Sequence, residues 1–406
     1  MSATLTGGEG KLYIQVCVDQ GVIVQVVLHS TRPIQACTLL IGRPVEEAMA
    51  LLPRWFSLCA TAQSVAGLTA AENALGLRLP PAQSAARQLL VAAEALEQTL
   101  WRLLLDWPRS VGLPPAVASF KRLRYALKRL PLHLFSDPAW QRIGGGPLLA
   151  DAAALAGTLT AMETELEHSV YGPACAGWDG REGQAFRQWV AAAPTVVAAT
   201  LRLMLEHGLA DFGRSVVEPL PTLEPQWLAQ RLTGAADDAF CAYPQRDGMV
   251  YETGALARQW THPVLTALRT AYGTGLFTRL AARLIECGAL VTEIRQRAQT
   301  VIHDTAAGPA PAAGATANGS GLGVVECARG RLAHWLKTEN GTVSAYRILA
   351  PTEWNFHPEG PLPRGLVGRW VGEGARARQA VEWLVTALDP CVDFVLDLRQ
   401  ARRAAD

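Results

Sequence analysis

The sequence predicts a mainly α-helical α+β chain with small β elements in its N- and C-terminal parts. Apolar residues recur at three- and four-residue spacing through most of the middle of the chain. β-branched alternation is confined to residues 11–30 and 324–350. Strands and helices therefore segregate instead of alternating, which argues against a βαβ architecture. Half of the 406 residues are apolar, enough for a large buried core.

Residues 11–30 read as a β-hairpin punctuated by Asp19-Gln-Gly21. From Glu46 the pattern turns helical. Ser84 to Trp107 places Leu89, Leu90, Ala93, Leu96, Leu100 and Leu103 on one face, and Pro108 is expected to close the helix. Further helices are expected over 147–169, 182–207, 224–233, 254–273 and 275–302. Residues 306–323 are rich in Ala, Gly and Pro and read as a flexible loop. Alternation then resumes over 324–350 around Asn340-Gly341, a favourable hairpin turn. A helix over 375–388 leads into Asp389-Pro-Cys391. The expected organisation is one domain over 1–406, with a hairpin region (1–45), a helical core (46–305), the loop (306–323) and a C-terminal β/helix region (324–406).

The charge balance excludes several classes of partner. Thirty-seven basic residues face 36 acidic ones, a net charge of +1, which gives no general attraction to nucleic acid or anionic lipid. The one basic run, Lys121 to Arg129, has Phe120, Leu123, Leu127 and Leu130 at helical spacing. It reads as a solvated helix face, with a docking surface for a partner protein as the alternative. The apolar run from Trp189 to Leu201 contains Pro194 and falls short of the ~20 residues a membrane helix takes. The start of the sequence carries no apolar signal segment, so a soluble cytoplasmic protein is expected. Eight cysteines (Cys17, Cys37, Cys59, Cys175, Cys241, Cys287, Cys327, Cys391) include no Cys-x-x-Cys pair, so free thiols are expected and a zinc ribbon is excluded.

Two segments draw attention because each pairs a cysteine with a phenylalanine: Arg54-Trp-Phe56-Ser-Leu-Cys59 and Asp389-Pro-Cys391-Val-Asp-Phe394. They resemble the Arg-x-Cys-Gly-x-Cys and Asp-Pro-Cys-x-x-Cys-x-x-His signatures of [NiFe]-hydrogenase large subunits. Four more segments are similar to motifs of that family and fall in the same order. They are Tyr251 to Arg258, Gly275 to Glu286, Glu326 to Trp335 with Arg329-Gly330 and His334, and Pro351 to Pro358 with Thr352, Trp354 and Asn355. Together the six cover essentially the whole chain.

The departures from the pattern carry the functional expectation. Phe56 and Phe394 each replace one thiol of a pair, and neither can bind metal. Gln63 stands where a histidine is common, and Asp397 where the terminal histidine is expected. Counting back from Gly42-Arg43 puts Cys37 where the family carries its proton-passing glutamate. Only 15 residues follow Cys391 in this sequence, so no tail for a maturation protease is expected. These losses match the HoxV/HupK-type maturation branch, whose members resemble large subunits but act as assembly scaffolds.

That resemblance implies a non-catalytic scaffold that transiently carries an Fe(CN)2(CO) fragment, without nickel. It implies Cys59 and Cys391 as metal ligands, Arg329 and Thr352 as donors to the cyanides, and Cys37 as a pocket residue. Implied partners are a HypC-type chaperone or its paralogue, a HypD-type iron-fragment assembly protein and the apo-hydrogenase large subunit. The alternatives are a divergent large subunit with hydrogenase activity and a metal-free structural or quinone-chamber relative.

Taken without the family, the same residues have plainer readings. Cys59 and Cys391 would be small buried apolar side chains. Cys17, Cys175, Cys241 and Cys287 read as core, Cys327 as packing, and Cys37 equally as pocket wall or core. His334 would satisfy a backbone carbonyl at a strand end, and His357 would be a loop residue. Arg329 would pair with Glu326 or a distant carboxylate. Glu252 and Arg258 are expected in internal ion pairs, and Asp397 in solvent.

Overall fold

The computed structural model describes residues 10–136, 138–172, 183–233, 237–306 and 317–401. The main elements in chain order are β1 (Leu12–Asp19), β2 (Val22–Ser30), α1 (Val45–Trp55), α2 (Ala60–Ala74), α3 (Pro81–Trp101), α4 (Val117–Leu134), α5 (Ala152–Leu166), α6 (Gly183–Ala192), α7 (Val196–Glu206), α8 (Pro225–Thr233), α9 (Pro263–Tyr272) and α10 (Leu276–Ala306). They are followed by β3 (Gly319–Cys327), β4 (Gly330–Glu339), β5 (Thr342–Leu349), α11 (Pro351–Asn355), α12 (Gly374–Leu388) and β6 (Phe394–Gln400).

The largest core forms where α10 lies along α3, with α2, α4, α5, α6 and α7 around them. Leu89, Leu96, Leu100 and Leu103 of the predicted apolar stripe are buried there, as the periodicity requires. Pro108 does not close that helix. The chain widens into a π-turn over Arg102–Asp106 and continues through Trp107–Ser110. Pro108 thereby falls in the first turn of the last piece, where a missing N–H leaves no ladder bond unmade. The stretches expected as single helices over 182–207 and 254–273 are each broken. Pro194 separates α6 from α7 with a bend of 102°, and α9 starts anew at Pro263 after a short turn of helix at Ala255–Arg258. Among the described residues no single helix is long and apolar enough to cross a membrane.

Two three-stranded sheets bracket the helices. In the first, β1 pairs antiparallel with β2 and parallel with β6, in the order β2-β1-β6. The alternation in Leu12, Ile14, Val16 and Val18 turns these side chains inward, and α12 packs beneath them. Strand β6 was not expected. Its backbone N–H and C=O groups are matched against β1 from Leu12↔Phe394 to Val18↔Gln400, and only Leu396 among its side chains is buried. This pairing brings the end of the Asp-Pro-Cys segment to the start of the chain.

The second sheet runs β3-β4-β5, all antiparallel, and β4 and β5 meet at the expected Asn340-Gly341 turn, both residues with positive φ. Strand β3 begins at Gly319, inside the stretch expected as loop. Residues 307–316 of that stretch, and Cys175, lie outside the described residues. The glycines that suggested a loop serve close packing instead. A Cβ on Gly319, Gly321 or Gly323 would lie 2.0–2.1 Å from the carbonyl oxygens of Ala74, Ala70 and Ala66, so only a bare backbone fits between α2 and the sheet.

Gly321→Ala forces a methyl group into helix backbone. It is expected to cost about 3 kcal/mol or more, and chemical denaturation should show a lower midpoint. An unchanged midpoint would mean that β3 does not seat on α2 in this way.

Candidate functional site

Cys59 ends a short 3-10 turn (Ser57–Cys59) and serves as the residue before α2. The turn is held from α3. The Glu94 carboxylate accepts from the backbone N–H groups of Thr61 and Ala62 at 2.7 and 3.1 Å, satisfying donors that a helix start leaves unpaired. One turn later on α3, the Gln98 amide donates to the Leu58 carbonyl. Burial raises the Cys59 thiol well above its ordinary value; neighbouring Cys327, Cys391 and Glu94 add to this, and Arg329 opposes it.

Cys391 follows Asp389, which closes α12 in the left-handed conformation at φ 59°. Asp389 is almost wholly buried and sits among three guanidiniums: Arg102 at 2.7 Å, Arg283 at 3.2 Å and Arg329 at 3.6 Å. Burial alone would raise its pKa, but Arg102, Arg329 and Arg283 outweigh that and hold the carboxyl far below the usual carboxylate range. The Cys391 backbone N–H donates to Thr352 Oγ1 at 3.2 Å. Thr352 therefore positions the cysteine loop.

Arg329 lies in the β3–β4 turn, before Gly330 at φ 131°, where a Cβ would strike Thr253 Oγ1 at 2.4 Å. Its Nη1 donates to Gln98 Oε1 at 2.5 Å, and its buried Nε has no hydrogen-bond partner. Glu326 is not its partner, because that carboxylate binds Arg258 and Arg331. Although burial disfavours its charge, the fields of Asp389, Cys59, Cys391 and Cys327 keep the guanidinium protonated.

These elements enclose a cavity of about 670 Å³. Cys37, Cys59 and Cys391 line it, as do Phe56, Gln63, Arg32 and Glu353. Arg329 and Thr352, expected as pocket donors, are not among the lining residues: the Thr352 hydroxyl is taken up by the Cys391 backbone N–H, and Arg329 is held by Gln98 and Asp389. Cys241, expected in the core, also stands on the cavity wall, its thiol pushed up to about 12 by burial. Cys327 packs in the main core near Cys59. Phe56 walls the cavity, whereas Phe394 opens β6 and packs against the core beneath the first sheet. Asp397, on β6, bonds to Arg399 at 2.7 Å. Among the described residues no three His, Cys, Asp or Glu side chains lie close enough to hold a metal ion.

A buried hydrogen-bond chain links two of the thiols. Gln63 Nε2 donates to Cys59 Sγ at 3.5 Å, and Gln63 Oε1 meets His334 Nε2 at 2.8 Å. His334 Nδ1 meets the Tyr346 hydroxyl at 2.7 Å, and Cys37 Sγ donates to the Tyr346 carbonyl at 3.2 Å. The amide oxygen of Gln63 makes Nε2 the protonated nitrogen, so Nδ1 accepts from Tyr346. His334 thus serves the cavity wall, not a strand-end carbonyl. Burial lowers its pKa to about 3, which keeps it neutral. His357 is a buried loop residue whose Nδ1 accepts the Glu359 N–H at 3.0 Å. Glu252 and Arg258 form internal ion pairs, with Arg279 and with Glu286 and Glu326 respectively.

Arg32, Glu353, Glu94 and Gln98 escaped the sequence reading. The first two stand outside or depart from the motifs, although an acidic residue inside the Pro351–Pro358 segment was a visible signal. Glu94 and Gln98 share a helical face, but nothing local says what that face holds.

This architecture is that of a nickel–iron hydrogenase large subunit. Residues 233–393 match the family described as nickel-dependent hydrogenase. The [NiFeSe] hydrogenase from Desulfovibrio vulgaris Hildenborough in the reduced state superposes with a TM-score of 0.67, covering 93% of this chain and 95% of that one at 18% identity. Two relatives match nearly end to end. The hydrogenase expression/formation protein HupK of Rhizobium leguminosarum bv. viciae is 32% identical over 98% of this chain and 99% of its own. The hydrogenase expression/formation protein HoxV of Cupriavidus necator is 32% identical over 91% and 92%. The chain belongs to the HupK/HoxV family of hydrogenase expression/formation proteins.

The neutral His334 makes the site acid-sensitive. An unfolded histidine titrates near ~6.5, and the folded value is depressed to about 3. Its stabilisation is therefore complete above pH ~6.5 and is lost as pH falls toward the folded value, at roughly 1.4 kcal/mol per unit. Urea unfolding between about pH 7.5 and 4.5 should show that slope, and His334→Gln should flatten it. An identical slope in the variant would place the acid sensitivity elsewhere.

Proposed function

We propose that this protein is a non-catalytic assembly scaffold that carries an Fe(CN)2(CO) fragment during maturation of a [NiFe]-hydrogenase large subunit. The observation that supports this most directly is the meeting of Cys59 and Cys391, from opposite ends of the chain, on one cavity beside the buried Arg329. Thiolates are soft ligands suited to a low-spin iron with strong-field ligands. Cyanide nitrogens are anionic acceptors, and a guanidinium in a dry site makes the stronger, charge-assisted kind of hydrogen bond to them. The orphaned Arg329 Nε is a buried donor of the kind such an acceptor would satisfy.

With Phe56 where the enzyme family has a thiol, nickel is not expected to bind. Following the resemblance position by position, Cys59 stands at a bridging place that touches iron and Cys391 at a terminal nickel place. The iron would therefore sit in a shifted pose, held less firmly than in the enzyme, which suits a carrier that must release it. In this reading the protein works in the cytoplasm with a HypC-type chaperone or its paralogue, a HypD-type protein and the apo-large subunit, and with neither nucleic acid nor membrane.

Protein purified without oxygen from a host with the maturation machinery should show cyanide and carbonyl stretching bands in the infrared. Cys59→Ala and Cys391→Ala should each weaken them. Elemental analysis should find iron without stoichiometric nickel. One tightly bound nickel per chain would favour a hydrogenase instead, and bandless protein would sink the carrier reading.

A further inference from the structure

We infer that Arg32 is a second guanidinium that reads the anionic ligands of the cargo, with Glu353 holding it in position; this rests on the carrier reading above. Arg32 lies just past the end of β2, its backbone N–H donating to Ser30 Oγ at 3.3 Å. Its side chain is only 13% exposed and lines the same cavity as Cys59 and Cys391. Nη1 contacts Glu353, whose side chain is 9% exposed, and Glu353 Oε2 has no hydrogen-bond partner.

Glu353 is the residue after Thr352, whose hydroxyl receives the Cys391 N–H. One turn of helix, α11, thus holds the Cys391 loop with one side chain and Arg32 with the next. The Glu353 carboxylate draws Arg32 to the wall.

The need for hydrogen-bond donors supplies the reason for a second guanidinium, since Arg32 paired with Glu353 adds no net charge. An iron(II) centre with two cyanides and one carbonyl is neutral, and two thiolate ligands make the held complex a dianion. A buried dianion is costly unless it is paired and hydrogen-bonded. Arg329 offers one guanidinium, which it shares with Gln98 and Asp389. Lys11, Arg54 and Asp393 also line the cavity but are exposed, so solvent and salt screen them. Arg32 is the buried cation among the described lining residues, whereas Arg329 does not itself line the cavity. Glu353 occupies one of its nitrogens, which leaves the rest of a rigid donor fork for cyanide nitrogen.

The test is the infrared spectrum of anaerobically purified Arg32→Lys, Arg32→Met and Glu353→Gln proteins beside the unaltered chain. Arg32→Lys keeps a cation next to Glu353 and hence the fold, but loses the planar fork. One of the two cyanide bands should shift in Arg32→Lys, and shift further, with loss of intensity, in Arg32→Met. Glu353→Gln should move the same band by a smaller amount. Cyanide bands unchanged in position and intensity in the two Arg32 variants, with bands present in the unaltered protein, would reduce Arg32–Glu353 to a packing pair and overturn the assignment. Absence of bands from the unaltered protein would overturn the carrier reading and this assignment with it.

Discussion

The structure of the site depends on one buried carboxylate. Asp389 draws together Arg102 from the π-turn after α3, Arg283 from α10 and Arg329 from the β3–β4 turn. No one of these contacts is available within a local stretch of chain. A lone carboxylate at this depth would be strongly destabilising, and three uncompensated guanidiniums more so, so the cluster forms together or not at all. Its left-handed backbone also turns the chain out of α12 and into the Cys391 loop. The same group that draws the arginines together therefore decides where the second thiol goes.

The first thiol is placed by different means. Glu94 and Gln98, one turn apart on α3, grip the turn before α2 from outside it. Gln98 reaches Arg329 as well, so the two halves of the site are tied through a single amide. Asn355 adds a third tie, accepting from Thr253 at 2.9 Å and donating toward the carbonyls of Arg329 and Leu388 at 3.4 Å. The result is a preorganised wall in which Arg329 Nε and Glu353 Oε2 are among the buried polar atoms without a hydrogen-bond partner.

The replaced cysteines have unequal consequences. Phe56 closes α1 and presents an apolar face to the cavity, in a place where the enzyme family carries a thiol. Phe394 serves the sheet instead, paired through its backbone with Leu12. Gln63, in a place where the enzyme family favours histidine, keeps a hydrogen-bonding role toward Cys59 and fixes the tautomer of His334. The cavity wall has thus stayed polar and ordered on the side of Cys59, while one ligand position has become hydrophobic.

The sequence by itself determined the fold class, the helical stretches with a clear apolar stripe, the two hairpin turns and the six ordered segments that place this chain near the hydrogenase large subunits. Resemblance to family motifs also offered Cys59, Cys391, Arg329 and Thr352 as candidates, of which the two cysteines line one cavity. Tertiary structure decided the rest. Strand β6 was illegible because its pairing with β1 is made by backbone atoms nearly four hundred residues apart, and its side chains are mostly exposed. The start of strand β3, Gly319 to Gly323, was hidden because its glycines answer to the carbonyls of α2 and not to any local turn. Arg32, Glu353, Glu94 and Gln98 became site residues only through contacts between distant segments. Local periodicity encodes which face of an element is apolar, but it carries no record of which buried charge will meet which.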